Sequence, residues 1–85
     1  MPQRSFHARE ICYQEGEDFY AVSLDFDLFA EGKTKEEAMQ RLREATMGYL
    51  LMCVQDDEPD SEVYRSAPKK FHDMFLYYLE EAKTS

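Results

Sequence analysis

Acidic side chains are the first candidates for chemistry in this chain of 85 residues. Asp25 and Asp27 are two positions apart in a segment with strand-like alternation, which predicts both carboxylates on one face of the strand. Glu31 follows a few residues later. Carboxylate oxygens suit divalent cations, and such a cation can activate water for phosphodiester cleavage. A metal-dependent nuclease that uses Asp25, Asp27 and Glu31 is therefore one functional hypothesis.

We favour a simpler interpretation of the same acids. A strand with one buried face carries polar residues on its other face, so alternation alone predicts Asp25 and Asp27 as solvated groups. A two-metal site also needs further ligands, and the sequence specifies none. We therefore predict no catalytic residue, no metal site and no cofactor, and we expect a protein that is not an enzyme.

The histidines and cysteines do not form a recognisable catalytic pattern. His7 and His72 are far apart in the sequence and have no carboxylate or cysteine at a catalytic spacing, so we interpret both as surface or edge residues. Cys12 and Cys53 lack metal-type spacing, and no signal peptide is evident. We interpret them as two reduced thiols of a cytoplasmic protein. Phosphate loops, dinucleotide fingerprints and nucleophile elbows are absent from the sequence.

A change of hydrophobic period organises the chain. Large apolar residues at alternate positions from 20 to 28 predict a strand with one buried face. From Thr34 the period becomes that of a helix, with its apolar stripe at Ala38, Leu42, Ala45, Tyr49 and Cys53. Thr34 and Glu37 have the spacing of a capping box. We predict a helix over 35–55 that packs on the strand face of residues 20–28.

The remaining segments complete an α+β fold of one domain. We predict a three-stranded antiparallel sheet on one long helix, with strands at 5–14, 19–28 and 28–31 and a change of direction near 25–27. Gly16 predicts a hairpin between the first two strands. Residues 56–66 form an acidic loop in which Val63 and Tyr64 allow a short fourth strand. Ser66 and Pro68 predict the start of a C-terminal helix over 67–83.

The charge indicates a class of partner. Eighteen acidic and ten basic residues give a net charge of −8, which disfavours direct binding to DNA or RNA and suits a basic partner. The charge could equally serve only to keep the protein soluble. No apolar run reaches the length of a membrane span. The acids predicted to face a basic partner are Asp25, Asp27, Asp56, Asp57 and Glu58.

Both helices have apolar surfaces that are wide for a small domain. Such surfaces predict a homodimer or larger oligomer, in which the C-terminal helix packs across a subunit boundary. In the alternative interpretation, that helix covers its own domain's sheet. The residues predicted at the oligomer interface are Met47, Leu51, Val54, Phe71, Phe75 and Tyr78.

The segment from Tyr20 to Ala38 resembles the HicB-type antitoxin domain. The resemblance is carried by Tyr20-Ala21-Val22-Ser23-Leu24-Asp25-Phe26-Asp27-Leu28, by Gly32-Lys33-Thr34-Lys35-Glu36-Glu37-Ala38, and then by Leu42, Glu44-Ala45 and Tyr49-Leu50. It covers roughly residues 5–55. Many members have Pro-Gly before the turn, where this chain has Phe26-Asp27-Leu28.

The resemblance implies a reduced ribonuclease H-like fold that lacks catalysis. It also implies that the domain binds and neutralises a small basic ribonuclease toxin of the HicA type, or is a solitary relative of such antitoxins. Members commonly carry a ribbon-helix-helix or helix-turn-helix that binds DNA, whereas residues 56–85 here contain an acidic loop and an aromatic helix. We therefore predict an antitoxin-like binding protein without direct DNA binding. An oligomeric scaffold with no toxin partner is the remaining hypothesis.

Overall fold

The computed structural model describes residues 4–84 and has the predicted α+β fold. A three-stranded antiparallel sheet of order β1-β2-β3 packs against one long helix. In chain order, the strands β1 (Glu10–Glu15), β2 (Asp18–Ser23) and β3 (Leu28–Gly32) precede the helices α1 (Lys35–Gln55), α2 (Asp60–Val63) and α3 (Lys69–Thr84). No helix of the described residues carries an apolar stretch long enough to cross a membrane.

The first two strands form the predicted hairpin. Glu15 pairs with Asp18, and Gly16 occupies the two-residue turn with φ +63°, a conformation that glycine adopts without steric cost. Strand β1 begins at Glu10, so the prediction that it starts near Ser5 is wrong. Residues 5–9 precede the sheet without strand pairing.

A turn, rather than a continued strand, joins β2 to β3. Strand β2 ends at Ser23, and residues 24–27 form the turn, with Asp27 at φ 53°. A short polar side chain tolerates this left-handed conformation better than most. The predicted change of direction is confirmed, but the unbroken strand through residue 28 is wrong. The premise that alternation places Asp25 and Asp27 on one strand face therefore fails.

Helix α1 has the predicted bounds and cap. The Thr34 hydroxyl accepts a hydrogen bond from the Glu37 amide at 3.0 Å, and the Glu37 carboxylate accepts one from the Lys33 amide at 3.2 Å. These bonds satisfy amides that have no partner inside the helix. Gly32 lies directly before this joint because there is no room for a side chain: an added Cβ would lie 2.6 Å from the Ala38 nitrogen.

Helix α1 packs on the opposite sheet face from the one predicted. Its buried side chains contact a set of small and apolar residues, which we call the α1 face: Cys12, Phe19, Ala21, Leu28 and Ala30. Val22 and Leu24 instead join Ile11 and Ala67 in a separate core under α3. Both faces of the sheet are thus covered near Ser23, and Ala21 to Leu24 are all buried. Small residues allow the two backbones to approach closely, which explains why α1 takes this face.

The C-terminal half, as far as residue 84, closes the domain without a fourth strand. Val63 ends the short helix α2, and an extended segment then joins the turn, where the amides of Arg65 and Ala67 donate to the carbonyls of Asp25 and Leu24. The predicted fourth strand is thus wrong, and the two backbone bonds of this segment go to the β2–β3 turn. Val63 packs with Phe26 and Cys53 in a third core cluster. Helix α3 begins at Lys69, and Ser66 does not cap it, because its hydroxyl bonds to His72 instead.

Candidate functional site: an aromatic and acidic sheet face

Three aromatic rings cross the sheet on the face opposite α1. Tyr13, Tyr20 and Phe29 come from β1, β2 and β3, and we call them the aromatic row. The Tyr20 ring stacks on both neighbours, with centroid distances of 5.4 Å to Tyr13 and 5.4 Å to Phe29. Cross-strand register fixes this arrangement, since Tyr13 is paired directly with Tyr20.

Helix α3 covers only one end of the aromatic row. Phe71 packs against Tyr13 at a centroid distance of 6.1 Å, whereas 56% of the Phe29 surface is exposed. Tyr20 lies between these extremes and is half-buried. The β3 end of the row is therefore a flat apolar surface open to a partner.

Carboxylates surround the aromatic row. The sheet register places Glu31 opposite Tyr20 and pairs Glu15 with Asp18, all on the same face as the rings. Burial raises the pKa of the Tyr20 hydroxyl, and Asp18, Glu31 and Glu15 raise it further. Lys33 offsets one of these charges through a 2.7 Å ion pair with Asp18, which raises the pKa of the lysine. Glu15 and Glu31 are exposed.

This combination of groups suits cationic side chains. An arginine or lysine gains favourable electrostatic interaction over an aromatic face, and adjacent carboxylates can hold its charged end by hydrogen bonding. The arrangement presents the open Phe29 ring, the half-buried Tyr20 ring and two exposed carboxylates to one partner surface. It is therefore the candidate functional site of the described residues.

Asp25, the first predicted partner-binding acid, is already bound within the chain. Its carboxylate accepts hydrogen bonds from the Arg9 amide at 2.8 Å and from the Arg9 guanidinium at 2.7 and 3.2 Å. The guanidinium of Arg9 lowers the pKa of Asp25, and the carboxylate raises the pKa of Arg9. The side chain of Asp25 is only 23% exposed. Its visible role is to hold the start of β1 against the β2–β3 turn.

The three acids of the nuclease hypothesis are not assembled as a metal site. Asp25 is bound by Arg9, Asp27 lies exposed in the turn, and Glu31 belongs to the aromatic face. Within residues 4–84, no group of three or more histidine, cysteine, aspartate or glutamate side chains is placed to hold a metal ion. No observation therefore favours a metal-dependent nuclease over a binding protein.

The predicted acidic loop lies at the far end of α1. Asp56 ends the helix, and Asp57 adopts φ 53° in the following turn. Arg4 reaches this region, where its guanidinium bonds to the Glu58 carbonyl at 2.7 Å and to the Asp60 carboxylate at 2.8 Å. The carboxylates of Asp56 and Asp57 are exposed and remain predicted partner contacts.

The histidines occupy ordinary structural positions. The His7 amide donates to the Tyr64 hydroxyl at 3.3 Å. His72 Nε2 lies 2.9 Å from the Ser66 hydroxyl, a serine–histidine pair that sequence reasoning missed because six residues separate the partners. A catalytic pair of this kind needs a third group that orients the histidine. The nearby Asp25 carboxylate is held by Arg9, and its interaction with His72 is electrostatic only.

Both cysteines are free thiols, as predicted. Cys12 lies half-buried on the α1 face, where burial raises the pKa of its thiol. Cys53 is buried beside Phe26. A raised thiol pKa lowers the thiolate fraction at neutral pH, which disfavours nucleophilic reactivity of Cys12.

The residues predicted at an oligomer interface fall into two groups. Met47, Leu51, Val54 and Tyr78 are exposed. Phe71 and Phe75 instead pack on the domain's own core of Ile11, Val22, Leu24 and Ala67. The first half of α3 thus covers its own sheet, which was the alternative interpretation.

Sequence reasoning missed the aromatic row. Tyr13 and Phe29 were assigned only to strands, and Tyr20 was assigned to the face under α1. The available signal was an aromatic residue at a facing position in each of three consecutive strands, which requires the register to be known.

A comparison with models of known protein families, with curated proteins and with solved structures finds no match in any of the three.

Proposed function

We propose that this chain is a non-catalytic, HicB-like binding protein that captures a small basic protein on its aromatic row. In an antitoxin of this type, the captured protein is a basic ribonuclease toxin of the HicA class and the setting is the reducing cytoplasm. A solitary relative would use the same surface for another basic protein. The observation that carries the proposal is the exposed Phe29–Tyr20 stack with Glu15 and Glu31 beside it.

Charge supports a basic partner over a nucleic acid. The net charge of −8 repels phosphate, while it raises the rate at which a cationic protein encounters this surface. The rings then contribute the directional part of binding. Buried aromatic anchors typically provide most of the affinity in protein interfaces, and surrounding charges mainly select the partner and its orientation.

The test is capture of a partner by the tagged full chain from cells of its native host. Mass spectrometry would identify the proteins that co-purify at low and at high salt. We expect one small basic protein, whose recovery falls as salt is raised because exposed charge pairs are screened. Recovery of no basic protein would contradict the proposal.

Two matched charge reversals identify the surface. Glu15→Lys with Glu31→Lys alters the aromatic face, and Asp56→Lys with Glu58→Lys alters the acidic loop. Each pair adds four charges to the net −8, so overall electrostatics change equally. We expect only the first pair to abolish capture. Loss with the loop pair alone would move the site to residues 56–58, and equal retention by both would exclude recognition by charge.

A further inference from the structure

An apolar groove runs along the second half of α1. It has a volume of about 470 Å³ and lies between the segment at Arg4 and Phe6 and the helix. We call it the α1 groove, and its apolar lining consists of Phe6, Met47, Leu50, Leu51 and Val54. Met47 and Leu51 are among the most exposed large apolar residues of the described chain. Gly48 also lines the groove, and nothing lies within 4 Å of the position that a Cβ would occupy there.

The end of α3 presents a second uncovered apolar surface. Residues 76–83, which we call the α3 tail, are all exposed. Leu76, Tyr77, Tyr78 and Leu79 surround this part of the helix, and Tyr77 is 62% exposed. The radius of gyration is 14.2 Å, against about 12 Å for a compact domain of this length. Four consecutive large apolar side chains that are all exposed indicate an interaction surface.

We propose that the α3 tail of one copy occupies the α1 groove of a second copy, and that the exchange is reciprocal. The result is a two-fold symmetric dimer in which each protomer contributes one helix and one groove. An amphipathic helix in an apolar groove is a common mode of protein recognition. Every copy of the chain carries both the α1 groove and the α3 tail, so no other protein is needed to form the complex.

The exposed apolar area of the groove and the tail favours a reciprocal exchange over a single tail in a single groove. Seven exposed apolar side chains belong to the groove and the tail, namely Met47, Leu51, Val54, Leu76, Tyr77, Tyr78 and Leu79. At roughly 90 Å² each, they supply about 600 Å² per protomer. Complete burial of these side chains by a single tail in a single groove would give about half of the 1,200 Å² or so that a stable interface needs, whereas the reciprocal dimer doubles this upper bound to about 1,200 Å². Polar rim atoms, roughly 40% of a typical interface, add to that total.

The dimer goes beyond the proposed capture of a basic protein. Its interface and the aromatic row share no residue, so each protomer of the dimer would keep its own Tyr20 and Phe29 accessible to a partner. Two linked copies of the same surface would bind a multivalent partner more tightly than one copy.

Sedimentation velocity of the purified full chain over a range of concentrations tests the dimer. We expect a species of twice the monomer mass. Leu51→Glu should raise the dissociation constant about tenfold or more, because each interface loses an apolar anchor and buries a charge. Met52→Glu is the matched control: Met52 is 63% exposed against 60% for Leu51, adjoins it in the helix and does not line the groove. Circular dichroism would verify that both variants fold.

Mixed disulfide trapping tests which surfaces meet. A Met47→Cys copy and a Leu79→Cys copy with tags of different size would be mixed and oxidised, with the wild type as the baseline for Cys12 and Cys53. We expect the crosslink between unlike copies. A wild type that stays monomeric at all concentrations, an equal effect of Leu51→Glu and Met52→Glu, or a crosslink only between like copies would overturn the proposal. Capture of a different protein in the groove of a monomeric chain would overturn it as well.

Discussion

The two faces of the sheet differ in how their apolar residues are covered. On the α1 face, the small residues Ala21 and Ala30 meet Ala38 of helix α1 and allow the helix to approach closely, and Leu42 of the helix packs there with no exposed surface. On the aromatic face, helix α3 covers Ile11, Val22 and Tyr13 but leaves Tyr20 and Phe29 partly or largely open. Helix α1 covers its face of the sheet, whereas helix α3 covers only part of the aromatic face.

This difference separates stability from recognition. The α1 face contributes to folding through burial, whereas the exposed end of the aromatic row contributes little to it because its rings remain hydrated. Residues that a protein keeps exposed and apolar at no structural benefit indicate an interaction surface. Substitutions on the two faces should therefore have opposite consequences for folding and for binding.

The largest expected difference in stability is between truncating Leu42, which packs against the α1 face, and truncating Phe29 on the aromatic face. Leu42→Ala should lower the free energy of unfolding by about 3 kcal/mol, because it removes buried methyl groups and leaves a cavity. Phe29→Ala should lower it by only about 1.5 kcal/mol, because 56% of its surface is already exposed and the loss is limited to the buried remainder and the stacking on Tyr20. Urea denaturation of both variants measures the difference. Similar losses would show that the aromatic face is also part of the folding core.

A smaller loss is expected from adding one methyl group at the joint between β3 and α1. Gly32→Ala should cost roughly 2 kcal/mol, because its Cβ would collide with the Ala38 backbone nitrogen and α1 would have to shift. Gly48→Ala is the matched control. It adds the same group in open space inside a helix and should stabilise the monomer by up to about 1 kcal/mol. Chemical denaturation at low protein concentration compares the two, and an equal loss at both sites would contradict the steric explanation.

The contrast between the faces also shows what the sequence could predict. Local patterns placed the strand-to-helix joint well: Thr34 and Glu37 form the predicted cap, and α1 spans the predicted 35–55. Hydrogen bonding at a helix start depends on residues a few positions apart, so it is readable from the sequence. The Gly16 turn follows the same rule.

Pairing between distant segments was not readable in the same way. The alternating pattern identified Val22 as buried but did not show which helix covers it. Both faces of this sheet are covered, so the small residues between the large ones are buried as well and could equally face α1. Ala21 and Ser23 were accordingly overlooked. The aromatic row depends on strand register, which no local pattern specifies. The pairing of Asp25 with Arg9 depends on it too.

The Arg9–Asp25 pair fastens the start of β1 to the turn, and its contribution should depend on pH. Asp25→Asn should lower the free energy of unfolding by about 1 kcal/mol at neutral pH, a modest value because the Arg9 side chain is 51% exposed. The folded state lowers the pKa of Asp25 below its ordinary value of 3.8. Its stabilisation is therefore complete above that value and is lost as pH falls through the lower, folded pKa. Thermal melts of both proteins should differ at pH 7 and converge in acid, and a constant difference would contradict this assignment.

The smallest expected effect is a gain in stability on the α1 face. Ser23 is fully buried, and its hydroxyl has no hydrogen-bond partner among the described residues. A buried hydroxyl without a partner loses its bonds to water and gains none in return. Ser23→Ala should therefore raise the free energy of unfolding by about 0.5–1 kcal/mol.

Ser66→Ala is the control. It also removes a hydroxyl oxygen, but this hydroxyl bonds to His72 at 2.9 Å, so the change should cause a small loss of stability instead. Urea denaturation should give opposite signs for the two changes. A loss at Ser23 would indicate that a buried water molecule satisfies its hydroxyl.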